Sequence, residues 1–284
     1  SESARSDFVR RGWAERIKRS VVGCCGAGLV GGRRHRDYMA ELGMPRDRIF
    51  LGYDVIDNAY FSSGADAARE QAASLRAQHG LPARYFLASG RFVPKKNLHR
   101  LVNAYAMYRE QAGAEAWDLV LCGDGPLRGE LEALVARREL GDAVHFAGFV
   151  QYPLLPVYYG LASAFVHVST VEQWGLVVNE AAAAGLPLLV SNRCGCVPEL
   201  VHDGHNGWVL DPLDAPGIAG ALRRVSGAPE QAADMGRASR EVVGAFGPPR
   251  FAEGLVAAVR CACRQPPVAA GWLDRQVVRL LALR

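Results

Sequence analysis

The sequence lacks the patterns that would reveal its class directly. Only 22% of its 284 residues are charged, and a net charge of +4 gives no argument for a nucleic-acid partner. That charge permits acidic small molecules or a membrane surface. No apolar run reaches the length of a membrane span, and there is no internal repeat. Half of the residues are hydrophobic, which predicts a sizeable buried core.

Metal-binding patterns are also absent. The Cys194/Cys196 and Cys261/Cys263 pairs have no histidine or further cysteine pair at zinc-ligand spacing, so we interpret them as packing residues. No Asp-x-Asp occurs, so a metal-bridged diphosphate is not indicated, and we expect neither a metal nor a cofactor. The seven cysteines are odd in number and no signal peptide is recognisable, which indicates reduced thiols and a cytoplasmic protein.

A regular alternation of strands and helices begins at residue 85. The predicted strands are 85–88, 117–122, 144–146, 164–168 and 188–191. This alternation predicts an α/β fold, a Rossmann-like doubly wound parallel sheet with helices on both faces. Ligands of such sheets bind at the carboxyl ends of the strands. The segments expected to converge there are 90–91, 123–124, 148–149, 169–175 and 192–198.

The ends of the chain read as helical. Residues 5–24 are predicted to form a basic amphipathic helix with Phe8, Val9, Trp13, Ile17 and Val21 at its apolar positions. We favour one buried face and a solvated basic face over contact with a membrane surface. After Asp214 the pattern is helical up to a last apolar and basic helix at 272–283.

A formal Gly-x-Gly-x-x-Gly occurs at Gly26, Gly28 and Gly31. A dinucleotide-binding fingerprint needs a strand before it, and only Val21 and Val22 are available. Residues 27–30 can instead form the strand themselves, which we favour. Further along we predict a helix at 33–42, a strand at 48–51, a polar stretch at 58–66 and a helix at 67–79.

The stretch 169–187 carries two carboxylates separated by seven residues, Glu172 and Glu180. Between them, Gly175, Leu176 and Val177 turn into a helix, whose exposed N–H groups and positive partial charge favour phosphate. Glu180, placed in the first helical turn, could accept two hydrogen bonds from a ribose diol. The alternative interpretation is a core helix with a favourable acid near its start.

Two cations follow the strand at 85–88. Arg91 and Lys96 could clamp a diphosphate from the side opposite the helix start, or they could be ordinary solvated loop residues. Glu172 could meet a sugar hydroxyl or a developing positive charge, or be a surface acid. The two glutamates indicate a glycoside hydrolase only weakly.

Five motifs in this order resemble a known family. They are Ser-Gly-Arg-Phe-Val-Pro-Lys-Lys-Asn at 89–97, Gly-Asp-Gly-Pro at 123–126, Phe-Ala-Gly at 146–148, Glu-x7-Glu at 172–180 with Gly-Leu-Pro at 185–187, and Pro-Glu-Leu-Val-x-Asp-Gly-x-Asn-Gly at 198–207. Together they resemble the nucleotide-sugar half of a group 1 (family 4) retaining glycosyltransferase of the GT-B fold, over roughly residues 85–245. Residues 29–54 are similar to the end of the family's acceptor domain and its hinge.

The resemblance implies roles for particular residues. Arg91 and Lys96 would contact the donor diphosphate, and Glu180 would bind the ribose. Glu172 would be catalytic and face the donor sugar, while the backbone from Gly175 through Leu176 to Val177 would meet phosphate or sugar. Gly123 and Phe149, at two strand ends, complete the expected donor site. Here Gln173 and Trp174 depart from the residues that commonly follow the first glutamate.

The expected organisation is a remnant of an acceptor domain with hinge at 1–54, a donor-binding domain at 55–246 and carboxy-terminal helices at 247–284. On this resemblance, we expect nearly all of the family's acceptor domain to be missing from these residues. The implied partners are a nucleotide sugar and a carbohydrate or lipid-linked acceptor, with peripheral membrane contact through the basic helices. The alternatives are a donor-binding module without turnover and an NAD(P)-dependent oxidoreductase.

Overall fold

The computed structural model describes residues 4, 11–268 and 271–282. The chain divides into two compact units. One unit combines residues 1–55 with residues 246–284, and the other consists of residues 56–245. The carboxy-terminal segment, which the sequence analysis treats as a stretch of its own, therefore groups with the amino-terminal segment.

The helices and strands are numbered in chain order. The helices are α1 (Gly12–Gly23), α2 (Arg33–Glu41), α3 (Asn58–Glu70), α4 (Ala72–His79), α5 (Leu98–Ala112), α6 (Arg128–Arg137), α7 (Leu155–Leu161), α8 (Leu176–Ala183), α9 (Val197–Leu200), α10 (Ala215–Ser226), α11 (Pro229–Gly244), α12 (Pro248–Arg264) and α13 (Trp272–Ala282). The strands are β1 (Gly28–Val30), β2 (Ile49–Leu51), β3 (Tyr85–Ser89), β4 (Asp118–Cys122), β5 (Val144–Gly148), β6 (Ala164–His167), β7 (Leu188–Ser191) and β8 (Gly207–Leu210).

In the first unit, β1 and β2 form a two-stranded parallel sheet. A small core of Val30, Met44 and Ile49 lies against it, and α12 packs on both strands. Helix α1 packs on α13, where Ser20 Oγ donates a hydrogen bond to Asp274 Oδ1 at 2.6 Å.

The glycine-rich segment of this unit is not a dinucleotide fingerprint. Helix α1 ends at Gly23 and β1 starts at Gly28, so within the described residues 11–25 no strand precedes Gly26. The prediction that residues 27–30 contain the strand is confirmed, with β1 covering Gly28–Val30. A turn at Gly31 then leads into α2.

The predicted buried apolar face of the first helix forms only in part where the structure describes it, since Ile17 is half-buried but its neighbours on that face are exposed. Helix α1 covers Gly12–Gly23, while Phe8 and Val9 lie outside the described residues. Trp13 is 62% exposed and Val21 is 38% exposed. Polar contacts help to fix the helix instead, because Lys18 and Glu15 both hydrogen-bond the hydroxyl of the buried Tyr38.

The second unit is built on a six-stranded sheet with the order β5-β4-β3-β6-β7-β8, in which every neighbouring pair is parallel. Residues 85–88 of β3, and all residues of β6 and β7, are buried, as expected for a parallel sheet covered on both faces. Helix α5 packs on α6 and α10, while α3 packs on α7, α8 and α11. This confirms the predicted α/β fold with a doubly wound parallel sheet.

Two predictions in this unit need correction. The stretch 58–66 belongs to α3, because Asp57 caps the helix by accepting from Tyr60 N at 3.0 Å. Phe61, Ala65 and Ala68 then give that helix a buried face at helical spacing. Strand β8 was not predicted, because its four residues begin with a glycine and give little periodicity.

Candidate functional site

Three neighbouring strands end in turns that are hydrogen-bonded to one another. After β3, Gly90 N donates to Cys122 O at 2.9 Å, and after β4, Gly123 N donates to Gly148 O at 2.7 Å. Gly123 has a φ of 135°, and a Cβ there would overlap Gly90 O. Only glycine therefore fits, and the backbones of adjacent strand ends come close together.

These turns border a cavity of about 220 Å³ at the carboxyl ends of β3 and β4, which we call the strand-end cleft. Its lining includes Arg91, Gly123, Phe149, Val177 and Glu180. The prediction that the strand-end segments after β3, β4 and β5 converge is confirmed. The order of the sheet reverses between β3 and β6, which is where such sheets bind ligands.

Helix α8 begins beside the cleft. Gly175, with a φ of 104°, is its N-cap, and no side chain caps the helix there. The first N–H groups of a helix have no partner within it and carry a positive partial charge, so they suit an anion. Leu176, the first helical residue, is 42% exposed, and Val177 lines the cleft.

Glu180 lies one turn further along α8 than predicted from the sequence. It is the fifth residue of α8, and the first turn contains no acid. Because Val177 and Glu180 are three residues apart, both reach the same cavity. Tyr159 Oη donates a hydrogen bond to Glu180 Oε2 at 2.7 Å. Burial raises the pKa of Glu180, and the hydrogen bond from Tyr159 opposes that shift.

Glu172 lies in a compact polar cluster. Lys96 forms an ion pair with its Oε2, and His167 Nε2 and Ser169 Oγ both lie 3.3 Å from the same oxygen. Burial alone would raise the pKa of Glu172, but the hydrogen bond with His167 and the charge of Lys96 lower it to about 2. Burial chiefly lowers the pKa of His167. Glu172 is therefore an anion at neutral pH, and burial disfavours the charged form of its histidine neighbour.

The loop that carries Glu172 is tied to the segment after β7. Gly195 N donates to Glu172 O at 3.0 Å, and Cys196 N donates to Trp174 O at 3.2 Å. The segment 192–198, predicted to reach the same crevice, thus supports the backbone of Glu172. Both Cys194 and Cys196 are buried and form no disulfide, as expected for packing residues.

The structure separates the two predicted cations. Arg91 lines the strand-end cleft, and within the described residues its side chain makes no hydrogen bond or ion pair. Lys96 lines a small neighbouring cavity with His167, and its charge is matched by Glu172. The positive charge in the cleft therefore comes from Arg91 and the start of α8, and the carboxylates of Asp124 and Glu180 line the same cavity.

Sequence reasoning missed four residues that contact the two glutamates. They are Lys95, whose Nζ is 4.0 Å from Glu172 Oε1, together with Tyr159, His167 and Ser169. The available signal was that His167 ends the buried strand β6 and Ser169 follows it two residues later, because strand ends converge on the ligand. Tyr159 gave no such signal, since it lies on α7.

A parallel sheet with this strand order and helices on both faces is the arrangement of an α/β domain of the GT-B type. Residues 72–242 match the family described as Glycosyl transferases group 1, which covers more than half of the chain. The chain belongs to this family, and the resemblance to group 1 glycosyltransferases is confirmed.

Individual relatives agree with the family. The chain is 30% identical over 220 residues to the Alpha-D-kanosaminyltransferase of Streptomyces kanamyceticus, covering 77% of this chain and 55% of that protein. The sucrose-phosphate synthase of Thermosynechococcus elongatus has a similar structure, with a TM-score of 0.70 and 25% identity, covering 97% of this chain and 63% of that one. The HepE protein of Anabaena, solved in complex with UDP, shares the fold with a TM-score of 0.66 and 20% identity. The match covers 91% of this chain and 64% of that one.

The chain spans about half the length of the curated relatives that it matches. Within the described residues, no helix combines the length and apolar character that a membrane crossing requires.

Proposed function

We propose that this chain is the donor-binding half of a retaining glycosyltransferase, which moves a sugar from a nucleoside-diphosphate sugar to a carbohydrate or lipid-linked acceptor. The observation that carries the proposal is the strand-end cleft, which brings Arg91, Glu180 and the start of α8 into one cavity. A cation, a helix start and a carboxylate match a diphosphate attached to a ribose. The UDP complex of the HepE structure supports a nucleotide ligand for this fold.

Each group of the donor would have its own partner in this proposal. Arg91 and the N–H groups of Leu176 and Val177 bind the diphosphate, whose leaving charge they stabilise without a cofactor. Glu180 accepts hydrogen bonds from the ribose hydroxyls, since Tyr159 occupies only its Oε2. Gly123 allows the donor to approach the backbone, and Phe149, which is 73% exposed, borders the cleft mouth.

Glu172 would face the donor sugar. Lys96 and His167 hold its carboxylate in the ionised form, as the lowered pKa indicates. An anion at this position can accept a hydrogen bond from a sugar hydroxyl or stabilise positive charge that develops on the sugar. Lys96 can keep its contact with Glu172 while its remaining donors reach the diphosphate. Retention of the anomeric configuration is implied by the family resemblance.

We further propose that turnover needs an acceptor domain in addition to these residues, so that the chain alone binds donor without transfer. A reducing, cytoplasmic setting is supported by the seven cysteines, none of which forms a disulfide in the described part of the chain. Robust sugar transfer by the isolated chain would contradict this requirement for an acceptor domain.

The nucleotide site can be tested by calorimetry with UDP, GDP and ADP. Glu180→Ala should weaken binding by about 1.5–3 kcal/mol, because a charged acceptor for the ribose hydroxyls is lost. This corresponds to roughly a tenfold to hundredfold higher Kd. Glu132→Ala, an exposed acid on α6 outside the cleft, is the matched control and should leave the affinity unchanged. An unchanged affinity in Glu180→Ala would remove the ribose role.

A further inference from the structure

A second cavity lies at the other end of the sheet, beside the amino ends of the strands, and takes no part in the proposed function. Its volume is about 400 Å³. Trp117, Ser163 and Pro187 line it and stand directly before or next to the start of β4, β6 and β7. Four arginines line it as well: Arg69, Arg84, Arg237 and Arg240.

Two of these arginines are held in place by partners. Asp66 accepts from Arg69 Nη1 at 2.9 Å and from both terminal nitrogens of Arg240, at 3.0 and 2.6 Å. Both side chains also donate to Ala184 O, at 2.6 and 3.3 Å. Burial and the neighbouring charge of Arg240 lower the pKa of Arg69, so like charges are crowded here.

The other two arginines leave the cavity with excess positive charge. Arg237 pairs with Asp234, and both side chains are largely exposed. Arg84 has no side-chain hydrogen bond or ion pair within the described residues. The four guanidinium groups are therefore paired with only two carboxylates, those of Asp66 and Asp234. A bound anion would relieve the repulsion among the arginines.

The volume and the lining of the cavity indicate which class of ligand it can bind. Its volume falls in the usual range of small-molecule sites, and Leu186, Pro187 and Ala233 add apolar wall to the arginine rim. Guanidinium groups bind phosphate with paired hydrogen bonds. We propose that this cavity is a second anion site, which binds a small phosphorylated metabolite through Arg84 and Arg237, with Arg69 and Arg240 held in position beside them.

The site can be located with inorganic pyrophosphate as probe. Because the diphosphate of a donor is proposed to bind at Arg91, the readout must separate the two ends of the sheet, and amide chemical shifts in NMR spectra do so. We expect pyrophosphate to shift the amide signals of Ser163, Gly185 and Gly236, in the wild-type chain and equally in Arg91→Ser. If these signals do not move, the proposal is wrong.

The double variant Arg84→Ser/Arg237→Ser removes the two exposed guanidinium groups. It should weaken pyrophosphate binding at the Gly185 signals about tenfold or more, because charge-assisted hydrogen bonds are lost. Arg137→Ser, an exposed arginine of α6 outside the cavity, is the matched control and should bind as the wild type does. Equal affinity in the double variant would overturn the proposal. So would binding to phosphatidylglycerol vesicles without binding to pyrophosphate.

Discussion

Replacing Lys96 with methionine removes the ammonium group that contacts Glu172 and keeps a side chain of similar length. The Glu172 side chain is only 12% exposed and that of Lys96 only 14%, so the remaining carboxylate would keep little solvent. The pKa of Glu172 is lowered from its ordinary 4.5 to about 2. At about 1.4 kcal/mol per pKa unit, its partners together stabilise the folded chain by roughly 3 kcal/mol at neutral pH.

Lys96 and His167 share that stabilisation, so Lys96→Met should lower the free energy of unfolding by about 2 kcal/mol at pH 7. The pH dependence follows from the sign of the shift. A lowered pKa in the folded state gives stability that is fully present above pH 4.5 and is lost as the pH falls towards 2. The difference between Lys96→Met and the wild type should therefore shrink over that interval.

Urea unfolding at several pH values measures this difference, and a double-mutant cycle with Glu172→Gln isolates the pair. Lys95→Met is the matched control. Its ammonium lies 4.0 Å from Glu172 Oε1 on a side chain that is 49% exposed, so it should change stability by less than about 0.5 kcal/mol. A coupling energy below about 0.5 kcal/mol between Lys96 and Glu172 would refute the reasoning.

Three further predictions concern the glycines and Tyr159. Gly123→Ala should lower the free energy of unfolding by about 2 kcal/mol or more, because the added Cβ would overlap a carbonyl oxygen. The control Gly129→Ala on α6, where the added Cβ has open space, should leave that free energy unchanged, and urea unfolding measures both. Tyr159→Phe removes the hydrogen bond that lowers the pKa of Glu180, so the carboxylate should take up its proton at a higher pH than in the wild type. As the pH is lowered, nucleotide affinity should therefore begin to fall at a higher pH in this variant. An unchanged midpoint of affinity against pH would contradict this. Gly28→Ala should leave nucleotide binding unchanged, because its Cβ meets only the flexible side chain of Met39, and NADH binding that disappears in this variant would restore the oxidoreductase interpretation.

Much of the fold could be predicted because its strands are short, apolar and buried on both faces. The strands at 85–89 and 188–191 stand out against polar surroundings for this reason, and the turns after them carry glycine or cations. Strand β8 and the amino-terminal half of α3 could not be predicted in the same way. Strand β8 has too few residues to show a period. The start of α3 is rich in polar residues, and only its packing shows that Phe61, Ala65 and Ala68 share one buried face.

The candidate site was likewise predicted only in part from the sequence. Arg91 and Glu180 were expected at one ligand, and the structure brings them to one cleft. The resemblance placed Arg91 and Lys96 at the same diphosphate, yet only Arg91 lines that cleft, and Lys96 is paired with Glu172. Their roles towards a donor remain predictions, whereas membership of the family is established by the match over residues 72–242.

The sequence alone determined which segments end at the ligand-binding edge of the sheet, because parallel strands separated by helices must place their carboxyl ends together. Only the tertiary structure decided which side chains meet there. Lys96 reaches Glu172 from the loop after β3, Tyr159 reaches Glu180 from α7, and Arg84 and Arg237 line one cavity although they are more than a hundred residues apart. Such contacts depend on how elements that are separated in the chain pack together, and that packing cannot be predicted from residue type or local spacing.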